Sequence, residues 1–199
     1  MAVGPSDASD PVGETQKTYD LITAEYARQN AAAWSNLADH ISIFTASLPP
    51  GGVVVDVGCG PGRDIALLRA RGFRVIGVDR SLGQLRTNSV PGVLQADMRQ
   101  LPLRAGSADA IWCQAALLHI PRTAVPAVLA EFARAIRPGG GLYLSVAKGD
   151  GEVSRPHPTT ARTADAGSHC TASRISRRCL LGPDLQSMRC GATATGGSG

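Results

Sequence analysis

No apolar run in this 199-residue chain approaches the length of a membrane span, which argues against a spanning helix. Residues 1–16 are polar and rich in small side chains, with no apolar signal-peptide core. A cytoplasmic protein is the expectation. CxxC spacing is also missing from the five cysteines, Cys59, Cys113, Cys170, Cys179 and Cys190. Without a secretion signal, free thiols are expected rather than disulfides. His169 and Cys170 adjoin, with Cys179 and Cys190 beyond, but structural zinc sites favour tighter ligand spacing, so no metal is assigned. Lysine is scarce, with only Lys17 and Lys148, a base-composition effect that says little about function. Net charge is only +4, and residues 1–150 hold 14 basic against 13 acidic side chains. The folded part therefore offers no basic nucleic-acid surface. Residues 151–199 contain no Phe, Trp or Tyr and few large aliphatics. Such a segment cannot bury enough apolar area to offset its ordering entropy, and it is expected to be mostly disordered.

What the chain does have is alternation. Trp34, Leu37, Ala38, Ile41, Phe44 and Leu48 recur at helical spacing, until Pro49-Pro50-Gly51-Gly52 stops them. Strands are expected at Val53–Val57, Phe73–Val78, Val93–Ala96, Ala108–Cys113 and Leu142–Val146. Helical stretches fall between them: Arg63 to Gly72, Ser81 to about Ser89, and Val125 to Ile136. This pattern predicts βαβ units and a mostly parallel sheet in a three-layer α/β sandwich, with strand order 3-2-1-4-5. The expected organisation is a disordered 1–16, a folded domain over 17–150, and a low-complexity tail over 151–199.

The stretch with most information is Val53-Val54-Val55-Asp56-Val57-Gly58-Cys59-Gly60-Pro61-Gly62. An apolar strand ends in a glycine loop that opens a helix, where open α/β sheets place nucleotide-like ligands. A tight strand-to-helix turn with no ligand is the plainer alternative. Two further acids sit at strand ends. Asp79 lies about twenty residues past the first glycine, at a distance that suits ribose hydroxyls. It could instead favour the dipole of the next helix. Asp97 could accept from an adenine amino group while Met98 packs the ring, or it could simply cap a turn. A dinucleotide fingerprint wants a small residue at position 63, where Arg63 stands, and this disfavours an NAD-linked oxidoreductase.

Taken together, Val53–Gly62, Val75–Ser81, Leu94–Leu103, Ala108–His119 and Leu129–Val146 resemble the class I S-adenosylmethionine-dependent methyltransferases of the small-molecule, type 11 kind. The resemblance implies a Rossmann-like fold and S-adenosylmethionine as cofactor. It implies that Gly58, Cys59, Gly60 and Gly62 face its methionine part, with Asp56 near the ammonium. Asp79 would hold the ribose, lined by Arg80 and Ser81, and Asp97 and Met98 would take adenine. Gln114 and Ala115 would lie beside the transferring methyl. Tyr19 and Tyr26 resemble an aromatic lid of the form Tyr-Asp-x-x-Ala-x-x-Tyr, with Thr23 in place of alanine. His119 is a weak candidate for a general base, and a loop-orienting role is its other reading, so the catalytic base is left unassigned. The family's sixth and seventh strands find no apolar, aromatic-bearing match after residue 150, as a truncated or frame-shifted gene would give. The implied partner is a small-molecule methyl acceptor. A cofactor-binding but inactive remnant, or a regulatory protein, is the alternative.

Overall fold

The β-branched run Val53–Val57 forms β1, and its buried side chains on both faces mark a central parallel strand. A computed structural model describes residues 10–30, 37–88, 90–147 and 174–179. Among the described residues, α1 (Pro11–Leu21), α2 (Thr23–Asn30) and α3 (Leu37–Thr45) precede β1. Helix α4 (Arg63–Arg69), β2 (Arg74–Asp79), α5 (Leu82–Thr87), β3 (Val93–Gln95) and β4 (Ala108–Gln114) follow. Helix α6 (Val125–Ala135) then leads into β5 (Ile136–Ala147), and β6 spans Arg174–Cys179.

The sheet has the order β3-β2-β1-β4-β5-β6. The first five strands are parallel and in the expected order 3-2-1-4-5. Alternate side chains build two cores, one on each face of the sheet. On β4, Ile111 and Cys113 join Val128 and Phe132 of α6, while Ala110 and Trp112 join Ile41 and Phe44 of α3 and Ile65 of α4. Trp112 stacks on Tyr143 with ring centroids 3.7 Å apart, and its indole N–H donates to Asp64 Oδ2 at 2.9 Å. A buried indole keeps a polar partner in this way.

Three expectations need correction. Residues 11–16 are not disordered: they are the first turns of α1, and Asp10-Pro11 supplies proline at the first helical position. The sheet does not stop at the five strands expected: β6 pairs antiparallel with β5 from Leu142↔Cys179 to Ala147↔Arg174. An unpaired β5 would present a row of open N–H and C=O groups, and this pairing satisfies them through backbone alone. The fifth strand does not begin at Leu142: it starts at Ile136, with a register shift between Ala108 and Ala110 absorbing the irregularity. Trp34, the His169–Cys170 pair and most of 151–199 lie outside the described residues.

Phe132 of α6 is fully buried in the first core. Phe132→Ala should cost about 3–5 kcal/mol of unfolding free energy. Urea denaturation measures this, and a loss below about 1 kcal/mol would mean that α6 is not docked as described.

Candidate functional site

Where β1, β2, β3 and β4 end, their loops open into one cleft. The turn after β1 forms its floor. Gly58 and Cys59 both donate backbone N–H bonds to Val78 O of the neighbouring strand. Gly58 has φ +77°, and a Cβ there would collide with Ala116, so the turns after β1 and β4 meet only because Gly58 lacks one. Gly60 has φ +50°, and its missing side chain leaves a gap between Tyr26 and Gln84.

Asp79 closes β2 and holds this turn. Its Oδ2 accepts from Gly60 N at 2.9 Å and its Oδ1 from Ser81 N at 2.8 Å. Burial raises its pKa, and the amide bonds partly offset that rise. Ser81 caps α5, accepting from Gln84 N at 3.1 Å, and its own hydroxyl donates to Asp20 Oδ1 at 2.6 Å. Asp20 also accepts from Gly83 N at 2.8 Å, so α1 is docked on the start of α5. Thr23 donates to Tyr19 O at 2.9 Å and sits where a side chain on Gly83 would collide with it. The departure from alanine at position 23 is thus accommodated by a glycine opposite.

Asp97 lies just past β3. Burial alone would raise its pKa, but Arg99 and Arg80 outweigh that and hold the carboxyl below its ordinary value. Arg80 Nη1 donates to Asp97 Oδ2 at 2.8 Å, and Arg80 Nε donates to Gln16 Oε1 of α1 at 2.8 Å. On the β4 side, Gln114 and Ala115 line the cleft. Ala115 has φ +52°, a strained value for a residue with a Cβ. Tyr19 Oη lies 3.0 Å from His119 Nε2, and the Tyr19 ring meets both His119 and Tyr26 edge-on. Burial lowers the His119 pKa, which keeps the ring neutral.

Of the residues singled out from sequence, Tyr19, Tyr26, Gly58, Gly60, Asp79, Arg80, Ser81, Asp97, Met98, Gln114, Ala115 and His119 all line this cleft. Three do not. Asp56 is buried behind the floor, and its Oδ2 has no partner; burial, then the charges of Asp64 and Asp79, raise its pKa well above the ordinary range. Cys59 turns into the second core, and Gly62 caps α4 against Asn88. Sequence reasoning missed Val12, Thr15 and Gln16 of α1, Gln84 of α5 and the second arginine on Asp97, Arg99. Asp10-Pro11 was the available signal for α1; nothing in the spacing pointed to Arg99.

Residues 55–144 match the family described as "Methyltransferase domain". In sequence these residues are thus similar to methyltransferase domains. The domain is 37% identical over 131 residues to a trans-aconitate 2-methyltransferase of Azoarcus sp. (strain BH72), covering 60% of this chain and 51% of the relative. It is 29% identical over 131 residues to a tRNA (carboxymethyluridine(34)-5-O)-methyltransferase of Arabidopsis thaliana, covering 65% of this chain and 31% of the relative. The chain thus spans about half or less of the length of these curated relatives. In fold, it is similar to the magnesium protoporphyrin IX methyltransferase of Synechocystis PCC 6803 solved with bound S-adenosylmethionine, with TM-score 0.58 and 21% identity, over 72% of this chain and 79% of that one.

The cleft should make stability pH-dependent through His119. Its folded pKa lies below the ordinary 6.5. Its contribution is therefore fully present above 6.5 and is lost as pH falls through the folded value. The urea midpoint of the wild type should drop between about pH 7 and about pH 5, and His119→Gln should flatten that drop. Equal drops in both proteins would count against a buried neutral ring.

Proposed function

We propose that this chain binds S-adenosylmethionine in the cleft and transfers its methyl group to a small-molecule acceptor. One observation carries the reading: the β1 turn, Asp79 and Asp97 come from three separate strands and converge on one cleft. The cradle also fits the cofactor in detail. Gly60 leaves room for a ligand beside Tyr26, and the buried Oε1 atoms of Gln84 and Gln114 have no protein partner. Unpaired buried acceptors are costly unless a ligand donor meets them.

When bound, S-adenosylmethionine supplies a methyl group already activated by a positive sulfur. Asp79 spends one lone pair of each oxygen on an amide and keeps acceptor capacity for ribose hydroxyls. Asp97 and Met98 are assigned to adenine, and Gln114 with Asp56 behind it to the ammonium end. Tyr19 and Tyr26 exclude water from the mouth. Positioning then accounts for most of the rate. A small acceptor is favoured over nucleic acid because α1 roofs the cleft and residues 1–150 are nearly neutral. The tRNA methyltransferases among the relatives mark the competing acceptor class. Buried free thiols at Cys59 and Cys113 suit the reducing cytoplasm.

Calorimetric titration with S-adenosylhomocysteine should show binding, and titration with NAD should not. Asp79→Asn should weaken the former by about 1–3 kcal/mol, a factor of roughly 5–150. No heat with S-adenosylhomocysteine would sink the proposal. Binding without methyl transfer to any acceptor in a broad panel would favour the inactive reading.

A further inference from the structure

Resting on that reading, we infer that Tyr19 and His119 together form the proton-accepting group of the reaction, and that the acceptor is an uncharged hydroxyl compound such as a phenol or enol. Tyr19 Oη and His119 Nε2 are 3.0 Å apart, and both side chains line the cleft with Gln114 and Ala115. The two residues come from α1 and from the turn after β4, 100 positions apart in sequence. A hydrogen bond between them therefore forms only when α1 lies over the site.

The protonation states suit a relay. Burial keeps His119 neutral, and no charged neighbour contributes to that shift. Burial raises the Tyr19 pKa, so its hydroxyl stays protonated, and in the Nδ1–H tautomer of His119 it donates to Nε2. A tyrosine oxygen that donates still carries lone pairs, and these can accept a second proton. The charged groups sharing the cleft are already engaged. Asp79 holds Gly60 and Ser81, Asp97 holds Arg80 and Arg99, and Tyr26 contributes an uncharged ring.

The step balances. The acceptor O–H proton passes to the Tyr19 oxygen while the Tyr19 proton passes to His119 Nε2. The freed oxygen pair forms the new C–O bond as the carbon–sulfur bond breaks, and sulfur keeps the departing pair. Tyr19 ends neutral, His119 ends as imidazolium, and water removes its proton after product leaves.

A carboxylate acceptor would fit poorly. It arrives without a proton to lose and wants a cation in the cleft wall. Arg80 is the cation among the described lining residues, and its guanidinium is bound to Asp97 and Gln16, with Asp10 at 3.6 Å. An added anion would compete with those partners and face Asp79 and Asp97.

The test uses the full chain with S-adenosylmethionine labelled in the methyl group. The probes are phenol and catechol against benzoate and phthalate. Label should enter the hydroxyl compounds, with kcat falling as His119 becomes protonated. His119→Gln should lower kcat about 100-fold or more and abolish that acid limb, and Tyr19→Phe should lower kcat about tenfold or more. S-adenosylhomocysteine affinity should stay within about threefold in both, which separates proton transfer from a merely structural role. Independently of turnover, NMR of the S-adenosylhomocysteine complex should show His119 titrating below an ordinary histidine, with Tyr19→Phe shifting that titration. Label confined to carboxylates overturns the inference while leaving methyl transfer intact. S-adenosylhomocysteine binding with no label in any hydroxyl compound, or a flat pH profile, also overturns it. Absent S-adenosylhomocysteine binding overturns the proposed function and this inference with it.

Discussion

One half-buried carboxylate fixes the geometry on which the cleft depends. Asp79 accepts from Gly60 N and from Ser81 N, so it binds the end of β1's turn to the start of α5. Burying a carboxylate costs free energy unless donors meet it, and backbone amides meet this one. The consequences run outward. Ser81, once placed, caps α5 and donates to Asp20. Asp20 also takes Gly83 N, and so α1 is anchored. With α1 anchored, Tyr19 reaches His119. The floor, the wall and the roof of the site therefore share one joint, and none of its members is an apolar side chain.

That chemistry explains what the sequence revealed and what it hid. The central strand β1 was legible because a strand buried on both faces must be apolar throughout, as Val53-Val54-Val55 is. Asp79 and Asp97 were legible for the opposite reason, as acids interrupting such runs at their ends. Helix α1 was not, because polar contacts hold it: Gln16 to Arg80, Asp20 to Ser81 and Gly83, Tyr19 to His119. Hydrophobic periodicity does not register such contacts, and α1 has Val12 as its buried residue. Strand β6 escaped for a similar reason, since it joins β5 through backbone pairing that asks little of side-chain pattern. Within the glycine motif, letters that look equivalent separate in space. Gly58 and Gly60 face the cleft, whereas Cys59 packs inward and Gly62 caps α4.

Arg80 shows how the same network limits what the site can recognise. A guanidinium at the mouth of a cleft is an obvious handle for an anion. This one is drawn instead to Asp97 on one side and Gln16 on the other. Its work is to fasten α1 to the end of β3, and Arg99 adds a second cation on the same carboxylate. Releasing Arg80 to an incoming anion would loosen the roof that brings Tyr19 to His119. Closing the cleft and accepting a charged partner thus draw on the same side chain, and the structure commits it to closure. A neutral partner makes no such demand, and it meets a neutral imidazole and an un-ionised tyrosine at the other wall. The preference for an uncharged acceptor follows from how the roof is held, before any residue is asked to contact the acceptor directly.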